Sequence, residues 1–191
     1  HNLEDQVETF FIRLSRGSGL QGLSSMKQVN KINNSVNLVR PLLDLKKDQL
    51  IKISKATFGK YFQDPSNYNT KFLRTRIRNL KNSLEKIGIN YDQIFRSINN
   101  LASSRDTLDL YFNEIYKEIA DNKKNKILIN LKIFNRINQE MKMRVFQQSI
   151  KDLTKAYYSP RSKKIFNLIN QIKEKENVKV TLGGCFVLRQ K

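Results

Sequence analysis

The 191 residues include 36 Lys and Arg against 17 Asp and Glu, a net charge of +19, and 39% of them are hydrophobic. That is enough apolar material for one ordinary domain, or for part of one joined to a smaller one, in a chain whose field attracts polyanions, with nucleic acid the leading partner. A single cysteine, Cys185, excludes an internal disulfide, a four-thiolate zinc site and a cysteine-held iron-sulfur cluster within this chain.

Residues 2–15 place Leu3, Val7, Phe10, Phe11 and Leu14 on one side at helical spacing, and the helix is expected to stop at RGSG. A short helix is predicted over 19–26, a strand over SVNLVRPLL ending at Pro41, and a helix over 46–58. DPSN at 64–67 reads as a turn feeding a helix, with Asp64 a possible N-cap and Pro65 at the first helical position. That helix, 69–87, should bury Phe72, Leu73, Ile77, Leu80 and Leu84. Gly88, Asn90 and the Asn-rich stretch beyond suggest a domain boundary, giving units 1–88 and 89–191. Residues 91–120 read as one long or two shorter helices. Ile127, Ile129, Leu131 and Ile133 alternate with Leu128, Asn130 and Lys132 as in a strand. Helices follow near 137–156 and 160–175, with Pro160 starting the second. KVTLGGCFVL has two β-rich runs around Gly183 and Gly184, the pattern of a hairpin. The expected fold is mostly α with minor β.

No apolar run approaches the roughly 20 residues of a membrane span, and the acidic start is neither a signal nor a transit peptide. A cytoplasmic protein is expected, and the opening on His1 instead of Met reads as a processed or trimmed product. Lys, Asn and Ile are also abundant, as an AT-rich genome would favour whatever the function. Charge is uneven: residues 122–191 hold 17 Lys and Arg against 4 Asp and Glu, a net of +13.

Chemistry is expected at four places. On the first helix His1, Asp5 and Glu8 share the side opposite the apolar residues, and two carboxylates three residues apart can hold an ammonium group or a hydrated Mg²⁺. They would equally favour the helix dipole as plain surface acids. Arg16, Gly17, Ser18 and Gly19 form a loop able to cradle phosphate, although the same loop serves as a helix C-cap. Lys71, Arg74, Arg78 and Lys81, spaced i, i+3, i+7 and i+10, form a positive stripe whose mutual repulsion asks for an anion, either a phosphate or a facing carboxylate. Solvation of a basic face would also relieve it. Arg144, Lys155, Arg161, Lys163 and Lys164 crowd the C-terminal helices near Tyr157 and Tyr158, a mixture suited to stacking and phosphate contact on RNA, although the tyrosines could equally be core. His1 as a metal ligand and a reactive Cys185 find no support in the pattern.

HNLEDQVETFFIRLSRGSGLQGLSSM, VRPLL, DPSNYNTKFLRTRIR and TLGGC, in that order, resemble the tRNA(Ile)-lysidine synthetases, PP-loop ATP pyrophosphatases, across most of residues 1–85 and again near 181–185. The resemblance implies that residues 1–88 are the C-terminal part of a PP-loop catalytic domain and 89–191 a basic helical tRNA-binding region. It implies ATP, Mg²⁺, L-lysine and an isoleucine tRNA with a CAU anticodon as cofactors and substrates. The wobble cytidine would be adenylated and lysine's amine would displace AMP. Asp5 and Glu8, with His1, stand at the family's acidic catalytic positions, Asp5 being the possible Mg²⁺ ligand. Arg74 and Arg78, with Arg16, Gly17, Ser18 and Gly19, would face ATP or phosphate. Lys71, Arg76, Lys81, Arg144, Lys155, Arg161, Lys163 and Lys164 would face tRNA. Glu4 replaces the family's usual Asp, and Thr75 its common Asn. The Ser-Gly-Gly-x-Asp-Ser phosphate loop belongs upstream of His1, so this chain alone is expected to be inactive. A non-catalytic basic RNA-binding fragment and a 2-thiolating PP-loop enzyme are the alternatives, the latter disfavoured because such enzymes need paired cysteines.

Overall fold

In the computed structural model, which describes residues 1–32, 35–62, 64–65, 69–156 and 159–189, the chain begins with helix α1, Leu3–Leu14. Asn2 caps it reciprocally: its side chain accepts from the Asp5 amide and its own amide donates to the Asp5 carboxylate, both at 3.0 Å. There follow α2 (Leu20–Leu23), β1 (Val29–Lys31), β2 (Asn37–Val39), α3 (Lys47–Phe58), α4 (Leu73–Asn79), α5 (Lys81–Lys86) and α6 (Tyr91–Ile119). Then come β3 (Ala120–Lys123), β4 (Lys126–Ile129), α7 (Leu131–Arg136), α8 (Gln139–Thr154), α9 (Ser162–Glu174), β5 (Val178–Leu182) and β6 (Cys185–Arg189). Among the described residues the strands pair as three separate antiparallel hairpins, β1 with β2, β3 with β4 and β5 with β6. The protein is mostly helical with small sheets, as expected.

The chain divides into two units, 1–107 and 108–191, and the division falls inside α6. The Asn-rich stretch after Gly88 is thus not where compactness changes, because Tyr91, Ile94 and Ile98 at the start of α6 pack with Leu3 and Val7 of α1 into the core of the first unit. In the second unit Phe112, Ile115 and Ile119 join Phe134, Val145, Ile150, Ile165, Leu168 and Val178 in one larger core, with Val145 and Ile165 wholly buried.

Several elements depart from the sequence expectation for identifiable reasons. The helix expected over 69–87 is two helices broken at Leu80, and it starts only at Leu73, because the Asn69 side chain accepts from the Lys71 amide at 3.0 Å and holds the chain in a turn. Phe72 is therefore the N-cap residue, not Asp64, and the rest of the DPSN turn lies outside the described residues. Phe72 and Leu80, which bracket α4, are exposed, whereas Ile77 is buried. Leu14 is exposed as well, since burial along α1 runs out after Phe11. The helix over 19–26 shortens to α2. The alternation from Ile127 to Ile133 is a strand only as far as Ile129: Asn130 accepts from the amides of Lys132 and Ile133 and starts α7. Its partner strand β3 takes the place of the expected helix end at 120. α9 is capped by Arg161, one residue after Pro160. The C-terminal hairpin forms as read, Leu182 opposite Cys185, with Gly183 and Gly184 at φ +60° and +82°, the turn conformation that only glycine adopts freely.

Candidate functional site

The first unit gathers the chemistry. α1 turns its acidic side toward α4, and the stripe of arginines on α4 meets it. Glu8 has no exposed surface: Arg78 donates to it through Nε at 2.7 Å and Nη2 at 3.2 Å, and Arg74 Nε lies 3.6 Å away. Arg74 also stands 3.9 Å from Asp5 and 3.5 Å from the Thr9 hydroxyl. The forked pair with Glu8 raises the pKa of Arg78 above that of an ordinary arginine, against the lowering effect of burial, with the Glu8 and Asp5 charges adding to the rise. The anion that the positive stripe asks for is therefore a facing carboxylate. This answers why acids sit in the middle of a helix side that should, on periodicity alone, face solvent.

Beside this quartet lies a cleft of about 370 Å³ lined by Asn2, Glu4, Asp5, Glu8, Lys47, Asp48, Arg78, Lys81 and Tyr91. Its rim is fixed by local bonds: Glu4 accepts from the Lys47 amide at 2.9 Å, and Lys46 reaches Asp92 at 2.7 Å. Four carboxylates and three cations face one another around the cleft, so it suits a small ligand that carries both signs of charge. Lys81 Nζ stands 5.2 Å from the Tyr91 ring centre.

Tyr91 was not singled out from the sequence. It is 6% exposed, its hydroxyl is buried without a hydrogen-bond partner among the described residues, and its pKa is pushed up to about 12, first by burial and then by the Glu8 charge. Its position after the Asn90 cap reads as an ordinary helix start, and only the folding of α6 back onto α1 puts it in the cleft.

The other expected site residues fall out differently. His1 is exposed and does not line the cleft. In RGSG the amides of Arg16, Gly17 and Ser18 donate to the carbonyls of Arg13, Leu14 and Arg13, so the loop closes the helix C-terminus and those donors are spent. Arg16, Gly17 and Gly19 are exposed, and Ser18 is half-buried. Lys71 and Arg76 are exposed. In the second unit Lys155, Arg161, Lys163 and Lys164 are exposed around the α8–α9 connection. Arg144 departs from the expectation of an outward cation: it is 6% exposed and turned inward, held by Asp109 at 2.7 Å and Glu140 at 2.8 Å. Tyr157 and Tyr158 lie outside the described residues. Among the described residues no three His, Cys, Asp or Glu side chains come together as metal ligands, and no helix is long and apolar enough to cross a membrane.

Comparison with known proteins finds similarity along nearly the whole chain. Residues 1–84 match the family described as the PP-loop domain. Over 187 residues the chain is 31% identical to the tRNA(Ile)-lysidine synthase of Wolbachia pipientis wMel, covering 97% of this chain and 43% of that protein. Over 190 residues it is 26% identical to the tRNA(Ile)-lysidine synthase of Ruegeria pomeroyi, covering 100% of this chain and 45% of that protein. Over 84 residues it is 45% identical to that of Orientia tsutsugamushi, 44% of this chain and 19% of that protein. The chain spans less than half the length of these relatives. The resemblance read from the motifs is borne out, and it extends through residues 90–175, where the sequence alone matches only in general character.

Proposed function

We propose, from the PP-loop domain at residues 1–84 and the likeness of nearly the whole chain to tRNA(Ile)-lysidine synthases, that this chain is part of an ATP-dependent ligase. That enzyme converts the wobble cytidine of an isoleucine tRNA with a CAU anticodon to lysidine, in the cytoplasm. The first unit, 1–107, belongs to its catalytic part and the basic second unit, 108–191, to its tRNA-binding region. The observation that carries the reading is the direct meeting of Asp5 and Glu8 with Arg74 and Arg78 beside a cleft of mixed charge.

The residues divide the work by their exposure. Glu8, closed off by two guanidiniums, is a positioning residue: it fixes the planes of Arg74 and Arg78 so that their outer N–H groups are set before a ligand arrives. Those arginines oppose the negative charge that gathers on phosphate as adenylate forms and as AMP departs. Asp5, 24% exposed in its side chain, and Glu4 attract the ammonium groups of L-lysine, while Lys47 and Lys81 receive its carboxylate. Holding the amine and the adenylated base in one cleft replaces an encounter in solution by a step within one complex. ATP supplies the activating phosphoryl chemistry. A Mg²⁺ ion brought by its phosphates would find Asp5 as the carboxylate of this chain able to reach it, since the Glu8 oxygens are already occupied. Arg16, Gly17, Ser18 and Gly19 contribute to the phosphate side through the Arg16 charge more than through their amides. Lys71, Arg76, Lys155, Arg161, Lys163 and Lys164 contact the tRNA backbone.

The test is made on the protein of the complete reading frame. Lysine and ATP should be consumed only when tRNA is present, and Asp5→Asn should raise the KM for lysine. Binding of tRNA to the present chain should weaken steeply with salt, as when several phosphates are neutralised. Lysine consumption without tRNA, or tRNA affinity indifferent to salt, would overturn the proposal.

A further inference from the structure

An apolar groove of about 260 Å³ opens on the second unit, and none of the residues lining it has a functional role in the reading above. Buried Phe146 and Ile150 of α8, with Leu153 beside them, form its floor, and the strands β4 and β6 both border it. Among the described residues β4 pairs only with β3 and β6 only with β5, so each of the two strands keeps one edge free. Their sequences do not suit an open edge. β4 is KILI and β6 is CFVLR, unbroken apolar runs inside their ends. A free row of amides and carbonyls invites stray pairing, and edge strands are ordinarily guarded by a charge or a proline within the strand. A continuous apolar run is instead the pattern of a strand covered on both faces. On β6, Cys185 and Val187 pack against the core of the unit, whereas Phe186 and Leu188, on the opposite face, are 75% and 57% exposed.

The course of the chain indicates what covers them. β6 is the last described element and ends at Arg189, which itself lines the groove. The matched region is 43% and 45% of the Wolbachia pipientis and Ruegeria pomeroyi relatives, so more than half of each relative lies outside it. Strands consecutive in sequence neighbour one another roughly two-thirds of the time, because a turn of about two to five residues brings the chain back antiparallel at small entropic cost. A separate molecule would in addition lose its translational freedom. We propose that the groove bordered by β4 and β6 is the docking site of a β-strand of the same polypeptide, supplied by the stretch that follows Lys191 in the complete reading frame. That strand runs antiparallel to β6 along its free edge. It sets one row of side chains beside Phe186 and Leu188 and the alternate row over Ile150 and Leu153, and about five or six residues suffice. It also shields the apolar run of β4. The inference concerns the folding of the second unit and does not depend on the ligase chemistry proposed above.

The experiment places a photo-crosslinker in the protein of the complete reading frame by Phe186→p-benzoylphenylalanine, at a side chain exposed enough to accept the larger ring. Irradiation, digestion and mass spectrometry should join position 186 to a peptide within about 20 residues beyond Lys191, the reach of a short turn and one strand. A mixture of ¹⁴N- and ¹⁵N-labelled protein should yield no crosslink of mixed isotope, which marks the contact as internal to one chain. In the unsubstituted complete protein, hydrogen exchange should be slowed at least about a hundredfold at every amide from 185 to 189, including those that β5 leaves unpaired. A crosslink to a second copy or to another part of the chain, no crosslink at all, or fast exchange of the outer amides of β6 overturns the proposal. So does a reading frame that stops within about ten residues of Lys191, too few for a turn and a strand. Neither measurement contains ATP, lysine or tRNA, so its failure leaves the ligase proposal untouched, and failure of lysidine formation leaves the docked strand untouched.

Discussion

Replacing Glu8 by Gln probes the contact on which the first unit turns. Gln keeps the size of the side chain and one acceptor oxygen but removes the charge, and it aims an NH₂ group at guanidiniums that have only donors. Breaking a buried ion pair from one side costs about 3–5 kcal/mol. Here Arg78 and Arg74 keep 30% and 43% of their side chains exposed, so water can solvate the orphaned cations, and the expected loss is about 2–3 kcal/mol. Urea denaturation followed by far-UV circular dichroism, with hydrogen exchange at α1 and α4 to locate the loss, gives the number. Combining Glu8→Gln with Arg78→Met isolates the pair, and the cycle should return a coupling of about 1–2 kcal/mol. A coupling under about 0.3 kcal/mol would refute the view that Glu8 is held by the arginines. Full burial of Glu8 also means that its substitution lowers stability along with any loss of activity, so Glu8→Ala is not the clean activity probe that a surface acid would make.

Tyr91→Phe removes a buried hydroxyl with no partner and should leave stability unchanged or raise it by up to about 1 kcal/mol in the same urea assay. Tyr91 and Tyr116 both have pKa values pushed up to about 12 in the folded chain, chiefly by burial, against about 10 when unfolded. The folded state therefore keeps these protons longer than the unfolded state does. The stability they contribute is full below pH 10 and is lost as pH rises from 10 toward 12, which denaturation at stepped alkaline pH with tyrosinate absorbance will record. Gly183→Ala should cost about 1–3 kcal/mol, because a Cβ there would stand 2.7 Å from Pro160 Cγ and 2.9 Å from Ile150 Cγ2. Gly184→Ala, whose nearest neighbour is Thr154 Cγ2 at 3.7 Å, should cost less in parallel thermal melts. Ile165→Ala, at a wholly buried position, should cost about 2–5 kcal/mol by the cavity it leaves.

Local rules settled what local physics controls. The 3.6-residue apolar repeat of α1, the repeat in α8 and α9, and the paired glycines of the last hairpin each specify their element from a few neighbouring residues, and each forms where the pattern places it. Where the repeat ran on through a residue that prefers another bond, the competing bond won: Asn130 ends a strand by capping α7, and Asn69 delays α4 by binding the Lys71 amide. The charges of Asp5, Glu8, Arg74 and Arg78 were visible as complementary sets, since like charges repeating along a helix demand a counter-charge from somewhere. Which counter-charge, and whether it meets them directly or across a ligand, depends on two helices some 65 residues apart in sequence being brought together. The same holds for Tyr91 in the cleft and for Arg144 drawn inward by Asp109 and Glu140. Periodicity reports the side of a helix on which a residue lies, but burial and pairing are set by what packs against that side, and only the tertiary structure supplies that neighbour.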